Sequence, residues 1–209
     1  RAFLEFTALK SIVIPEGVTS IGDEAFEGCA DLTSITLPSS VTSIGKRAFS
    51  GCKSLTSITI PSSVTSIGES AFSGCESLTS VIIPEGVTTI EYGVFSGCKS
   101  LTTITIPSGV TSIGGSAFSG CSGLTSMTMP EGVISIGEET FAGCSNLLGT
   151  LIIPATVQEI GAAAFAACTS LSGVEFCGQP PKVEESPFIL PFYSSSTNIK
   201  GMYSIANAG

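Results

Sequence analysis

Apolar and polar positions along this chain follow a single rhythm. Pro15, Pro38, Pro61, Pro84, Pro107 and Pro130 stand 23 residues apart, and Pro154 follows after 24. Cys29, Cys52, Cys75, Cys98, Cys121, Cys144 and Cys168 keep the same beat, as do Phe26, Phe49, Phe72, Phe95, Phe118, Phe141 and Phe165. Leucine, isoleucine and valine fill fixed places between them. A constant period of this length is the signature of a solenoid, in which each copy is one coil.

The stretch from Leu55 to Ser77 serves as the type copy. Ile58 and Ile60 flank Thr59, the period-two alternation of a strand with one buried face. The β-branched residues Thr56, Ile58, Thr59 and Ile60 favour that strand. Pro61 ends it, because proline cannot donate to a ladder. Val64 and Ile67 mark a second short extended segment. Gly68 predicts a turn that needs either positive φ or a close backbone approach. Residues Glu69 to Phe72 suffice for about one helical turn, closed by Gly74. One copy cannot bury its apolar residues alone. Copies stacked about 4.8 Å apart can, and would align Leu, Ile, Val, Phe and Cys into ladders along the body.

Departures from the rhythm predict local changes. Glu91 stands where the other copies have glycine, with Gly93 two places on, so that turn should follow a different path. Tyr92 beside it is an aromatic at a place expected to be exposed. The seventh copy gains one residue within Leu147-Leu148-Gly149-Thr150, which predicts a bulge. In the last copy Leu171, Val174 and Phe176 keep the strand pattern, but Cys177 replaces the proline. Residues 1–176 are therefore read as the solenoid and 177–209 as a C-terminal cap, in which Phe188, Phe192 and Tyr193 cover the open end and the stretch from Ser194 to Thr197 is a loop. At the other end, Ala2-Phe3 already fits the Ala-Phe step. Residue 1 thus reads as a cut within a longer protein whose targeting signals would lie outside this sequence.

Composition narrows the partners. Only 12 % of the 209 residues are charged and the net charge is −9. That balance disfavours nucleic acid and anionic membrane surfaces, which need basic stripes. No apolar run approaches the about 18 residues of a membrane span. Histidine is absent, which removes the commonest general base and metal ligand. The acidic clusters Asp23-Glu24-Glu27, Glu138-Glu139 and Glu184-Glu185 read as solvated turns. No calcium-loop spacing accompanies Asp23-Glu24. A cysteine spacing of 23 is not a chelating one, and stacked cysteines pointing inward in parallel read as reduced core residues. Cys168 and Cys177, both near the cap, leave a bridge open.

The unit Leu-x-x-Ile-x-Ile-Pro-x-x-Val-x-x-Ile-Gly-x-x-Ala-Phe-x-Gly-Cys resembles the BspA-like, or Treponema pallidum-type, leucine-rich repeats over roughly residues 1–176. The resemblance implies a leucine-rich repeat solenoid of the α/β horseshoe class, strand-rich, right-handed and curved, with the strands on the concave side. Family members carry proline where common leucine-rich repeats carry an asparagine ladder. They are typically secreted or cell-surface proteins of host-associated bacteria, several of them adhesins, and the family sets no catalytic residue.

On the polar face of the strands, Thr36, Thr59, Ile82, Thr105 and Thr128 should stack in one row, with Ile152 continuing it. Beside them run Thr33-Ser34, Thr56-Ser57, Thr79-Ser80, Thr102-Thr103 and Thr125-Ser126. The expectation is a monomeric, non-enzymatic surface or secreted scaffold, without cofactor or metal, whose row of five binds an extracellular protein or glycan. An architectural stalk is the alternative, and a hydrolase using paired carboxylates a more remote one.

Overall fold

The strand forms where expected because the Ile-x-Ile step buries one face and leaves the intervening residue outside. A computed structural model describes residues 1–179 and 182–183. Ser11–Val13, Ser34–Thr36, Thr103–Thr105, Ser126–Thr128, Gly149–Ile153 and Leu171–Phe176 are the strands of this first series. Bridges between Ser57 and Ser80 and between Ile82 and Thr105 mark the same place in the coils between. Pairing is parallel and brings equivalent residues together: Ile12 faces Ile35, and Thr105 faces Thr128. The extra residue of the seventh copy is absorbed as a register shift between Gly149 and Thr150, with Gly149 at φ +76°.

The carbonyl of each of the seven repeat prolines then accepts a bond from the valine three residues on, as Pro61 does from Val64 at 3.0 Å. This turn leads into the second series, two-residue strands such as Ser43–Ile44 and Ser66–Ile67. Gly68 satisfies the close-approach reading: a Cβ there would lie 2.6 Å from the Lys46 amide nitrogen of the preceding coil, and its φ is not positive.

The helical turn expected over Glu69–Phe72 does not form, and no helix is found among the described residues. Ser70 adopts left-handed backbone, φ +54°, and Gly74 does so again at +70°. These reversals aim successive amides alternately within and between coils. Ala71 and Ser73 bond back to the Gly68 and Ser70 carbonyls at 3.2 and 3.1 Å. Ser70, Phe72 and Gly74 bond forward to Tyr92, Val94 and Ser96 of the next coil at 2.8, 2.9 and 2.7 Å. The third side thus carries its own intercoil ladder, which a helix would have kept to itself.

The core lies between these three ladders. Phe72 is fully buried, with its ring 5.3 Å from that of Phe49 and 5.5 Å from that of Phe95, both nearly parallel. The stack runs from Phe3 to Phe165. Seven cysteines, from Cys29 to Cys168, are fully buried as free thiols, whereas Cys177 is exposed. At the C-terminal end, Lys182–Val183 pairs with Glu159–Ile160 and extends the second ladder. Glu184, Glu185, Phe188, Phe192, Tyr193 and the Ser-rich stretch from Ser194 to Thr197 lie outside the described residues. No helix among those described is long and apolar enough to cross a membrane.

Candidate functional site

Strand alternation decides which side chains face out. With Ile58 and Ile60 buried, Thr59 between them is exposed, and Thr36, Thr105 and Thr128 repeat the arrangement. Ile82 occupies the same row and is 78 % exposed. All five residues singled out from the sequence therefore lie on one solvent-facing strip. Ile82 stands opposite Thr105, and Thr105 opposite Thr128.

Val13 also belongs to this row. It stands opposite Thr36 and is 73 % exposed. Its signal was in the sequence: like Thr59 and Ile152, it lies two residues before a proline. With Ile152 at 44 % exposure, the row reads Val13, Thr36, Thr59, Ile82, Thr105, Thr128, Ile152. An apolar residue thus appears in every third coil, separated by pairs of threonines.

The two threonine columns of the strand side differ in chemistry. Thr33, Thr79, Thr102 and Thr125 turn their hydroxyls onto carbonyls of the preceding coil, those of Lys10, Thr56, Thr79 and Thr102, at 3.0, 3.2, 3.4 and 3.2 Å. These hydroxyls stitch the coils together, and their proton is committed. Among the described residues the hydroxyls of Thr36, Thr59, Thr105 and Thr128 make no such bond, so each retains a donor and acceptors for a ligand. The strip carries no charge until Glu175, opposite Ile152.

The acidic clusters are placed otherwise. The Asp23 carboxylate accepts a bond from the Lys46 amide at 2.8 Å. Glu24 pairs with Arg1, and Glu27 with Arg47 at 2.7 Å. These carboxylates face chain partners across the coil corner, where they organise turns. Glu69 pairs with Lys46, which raises the lysine's pKa through their hydrogen bond. The buried cysteine ladder offers no nucleophile either. Burial pushes the thiols of Cys75 and Cys121 up to about 12, away from the thiolate form that reacts or binds metal.

Comparison with known proteins agrees with this architecture. A model of the BspA type leucine rich repeat region matches residues 1–125 and 88–206. Among solved structures, the leucine-rich repeat protein of Treponema pallidum is 35 % identical, with 77 % of each chain covered and a TM-score of 0.71. A leucine-rich repeat protein from Bacteroides ovatus is 28 % identical over 87 % of this chain and 70 % of its own, with a TM-score of 0.52. A leucine rich cell surface protein from Faecalibacterium prausnitzii is 30 % identical over 85 % of this chain and 62 % of its own, with a TM-score of 0.53. No curated protein matches. The repeat unit, the stacked parallel coils and these likenesses agree: the chain belongs to the family of BspA-type leucine-rich repeat proteins.

Proposed function

We propose that this protein is a non-enzymatic binding scaffold, secreted or held at a cell surface, that engages an extracellular protein or glycan through its strand face. The observation that carries this reading is the exposed row itself. Thr36, Thr59, Thr105 and Thr128 present hydroxyls without a chain partner, and Ile82 stands among them largely bare. Such a surface recognises through shape and hydrogen bonds. In this reading it is the concave side, where curvature brings several coils toward one ligand. The relative from Faecalibacterium prausnitzii is described as a cell surface protein, which supports the same setting here. The protein acts as a monomer in this reading.

The test is a binding panel of extracellular matrix proteins, bacterial surface proteins and glycans, probed with paired variants. Thr59→Glu with Thr105→Glu places charge on the row and should abolish binding with the fold intact. Ser70→Glu with Ser116→Glu is the matched control on the turn side. Those positions hold glutamate natively in other coils, at Glu24 and Glu139, with the same left-handed backbone. Loss of binding in the turn pair alone would show that the wrong face was chosen. A panel without any ligand would favour the architectural stalk.

A further inference from the structure

The Ile-Gly step brings each coil hard against the one before it. A Cβ on Gly68 would lie 2.6 Å from the Lys46 nitrogen, on Gly137 2.4 Å from the Gly115 nitrogen, and on Gly161 2.4 Å from the Glu138 nitrogen. Such contacts are impossible for real side chains, so the step needs glycine. In one coil the residue is Glu91, where the spacing of the other coils would drive a Cβ into Gly68 and Glu69.

The ladder of second strands parts at that junction. Ser20–Ile21, Ser43–Ile44 and Ser66–Ile67 form one sheet, and a second begins at Thr89–Ile90 and runs through Ser112–Ile113 to Lys182–Val183. In the preceding junction the amides of Thr65 and Gly68 bond to the Thr42 and Ile44 carbonyls at 2.9 and 2.8 Å. In the following one Thr111 and Gly114 bond to Thr88 and Ile90 at 2.9 and 2.7 Å. The equivalent bonds, from Thr88 to Thr65 and from Glu91 to Ile67, are not made. An open groove of about 490 Å³ runs along this side of the coils from Asp23 and Gly45 past Ile67 and Glu69, and ends at Glu91.

The other two sides of the same junction stay closed. Phe72 and Phe95 remain stacked at 5.5 Å, the turn ladder from Ser70, Phe72 and Gly74 is intact, and Thr79 still bonds to the Thr56 carbonyl at 3.1 Å. The coil of Glu91 has also moved its glycine two places on. Gly93, at φ +63°, takes the left-handed position that Arg47, Ser70 and Ser116 occupy elsewhere. A flexible residue thus sits beside the opened corner.

We propose that Glu91 is a steric wedge that makes this junction a hinge. The solenoid is then two blocks, joined through the phenylalanine stack and the turn ladder, that change angle by opening and closing the Ile67–Glu91 corner. Stability in a stacked repeat is a sum of coil and nearest-neighbour contributions, so this second-strand corner, short of two bonds, opens before the same corner of the adjoining junctions.

Amide hydrogen exchange on the intact chain tests the wedge. The Thr88 amide should exchange about tenfold or more faster than those of Thr65 and Thr111. Glu91→Gly should restore its protection to their level. Glu91→Ala should leave it fast, because a Cβ alone suffices to hold the coils apart. Equal protection of Thr88, Thr65 and Thr111 in the unaltered chain would overturn the proposal. So would closure by Glu91→Ala, which would assign the opening to repulsion between the Glu69 and Glu91 carboxylates. Spin labels on Ser39→Cys and the exposed native Cys177 span the junction. Their distance distribution should narrow in Glu91→Gly, and equal widths would rule out a hinge.

Discussion

Cys75 donates its thiol proton to the Phe49 carbonyl of the preceding coil at 3.2 Å. Cys52, Cys98, Cys121 and Cys144 repeat the bond to Phe26, Phe72, Phe95 and Phe118. The cysteine ladder is therefore a hydrogen-bonded column as well as an apolar one. These thiols should be inert toward a thiol reagent in the folded protein and reactive after denaturation without reductant. If Cys52, Cys75, Cys98 and Cys121 prove already oxidised on denaturation, the column is not what it appears here.

The same column sets an alkaline limit. Desolvation raises the Cys75 and Cys121 thiols from 9.0 to about 12, and Cys168 to about 11. The unfolded chain releases these protons near pH 9 while the folded chain retains them. Stability is thus undiminished below pH 9 and falls as pH climbs through 9 toward the folded values. Each such thiol contributes a slope of up to about 1.4 kcal/mol per pH unit in that window. Denaturant midpoints measured from pH 7 to 10.5 check this, and Cys75→Ala should flatten the slope. A stability that is level beyond pH 9.5 would contradict it.

Phe72 is sandwiched between two rings and sealed from water. Replacing it with alanine removes contacts on both faces and leaves a cavity that backbone-paired coils cannot collapse. Phe72→Ala should cost about 3–5 kcal/mol in chemical denaturation. A loss under about 1 kcal/mol would remove the stack from the core.

Two glycines at the same repeat position should respond differently to alanine. A Cβ on Gly22 meets nothing within 4 Å, whereas one on Gly137 would lie 2.4 Å from the Gly115 nitrogen. Gly22→Ala should stay within about 0.5 kcal/mol of the original. Gly137→Ala must push coils apart and should cost about 2 kcal/mol or more. Similar melting temperatures for the two variants would mean that coil spacing adjusts more freely than the ladder bonds suggest.

These ladders were legible in the sequence because burial selects residue type: only apolar residues tolerate the inside of a coil, so phenylalanine, cysteine and leucine recur visibly. The break at Glu91 was legible for a related reason, since glycine is required at that step. The turn side was harder to read. Ser70 and Arg47 take left-handed backbone that serine and arginine do not advertise, so the sequence predicts a helical turn there that does not form. The division between committed and free threonines was invisible as well. Thr102-Thr103 and Thr105 look alike in composition, and only the distance to the preceding coil's carbonyls decides that Thr102 is used up and Thr105 is not.

Ile82 offers the last prediction, on what kind of ligand the row accepts. Converting Ile82 to threonine leaves the row hydroxyl-bearing from Thr36 to Thr128 without touching the core beneath. If the partner is a protein that buries Ile82, the loss of apolar contact should weaken binding by about tenfold or more, consistent with the 1.5–3 kcal/mol of a fully buried isoleucine. A glycan bound through hydroxyls should tolerate the change or bind more tightly. Because the row is uncharged, affinity for either ligand should change by less than about threefold between 50 and 500 mM salt. A steep decline with salt would instead place the contact on the acidic corner that carries Glu69, Glu91 and Glu138, and would remove the threonine row from the binding surface.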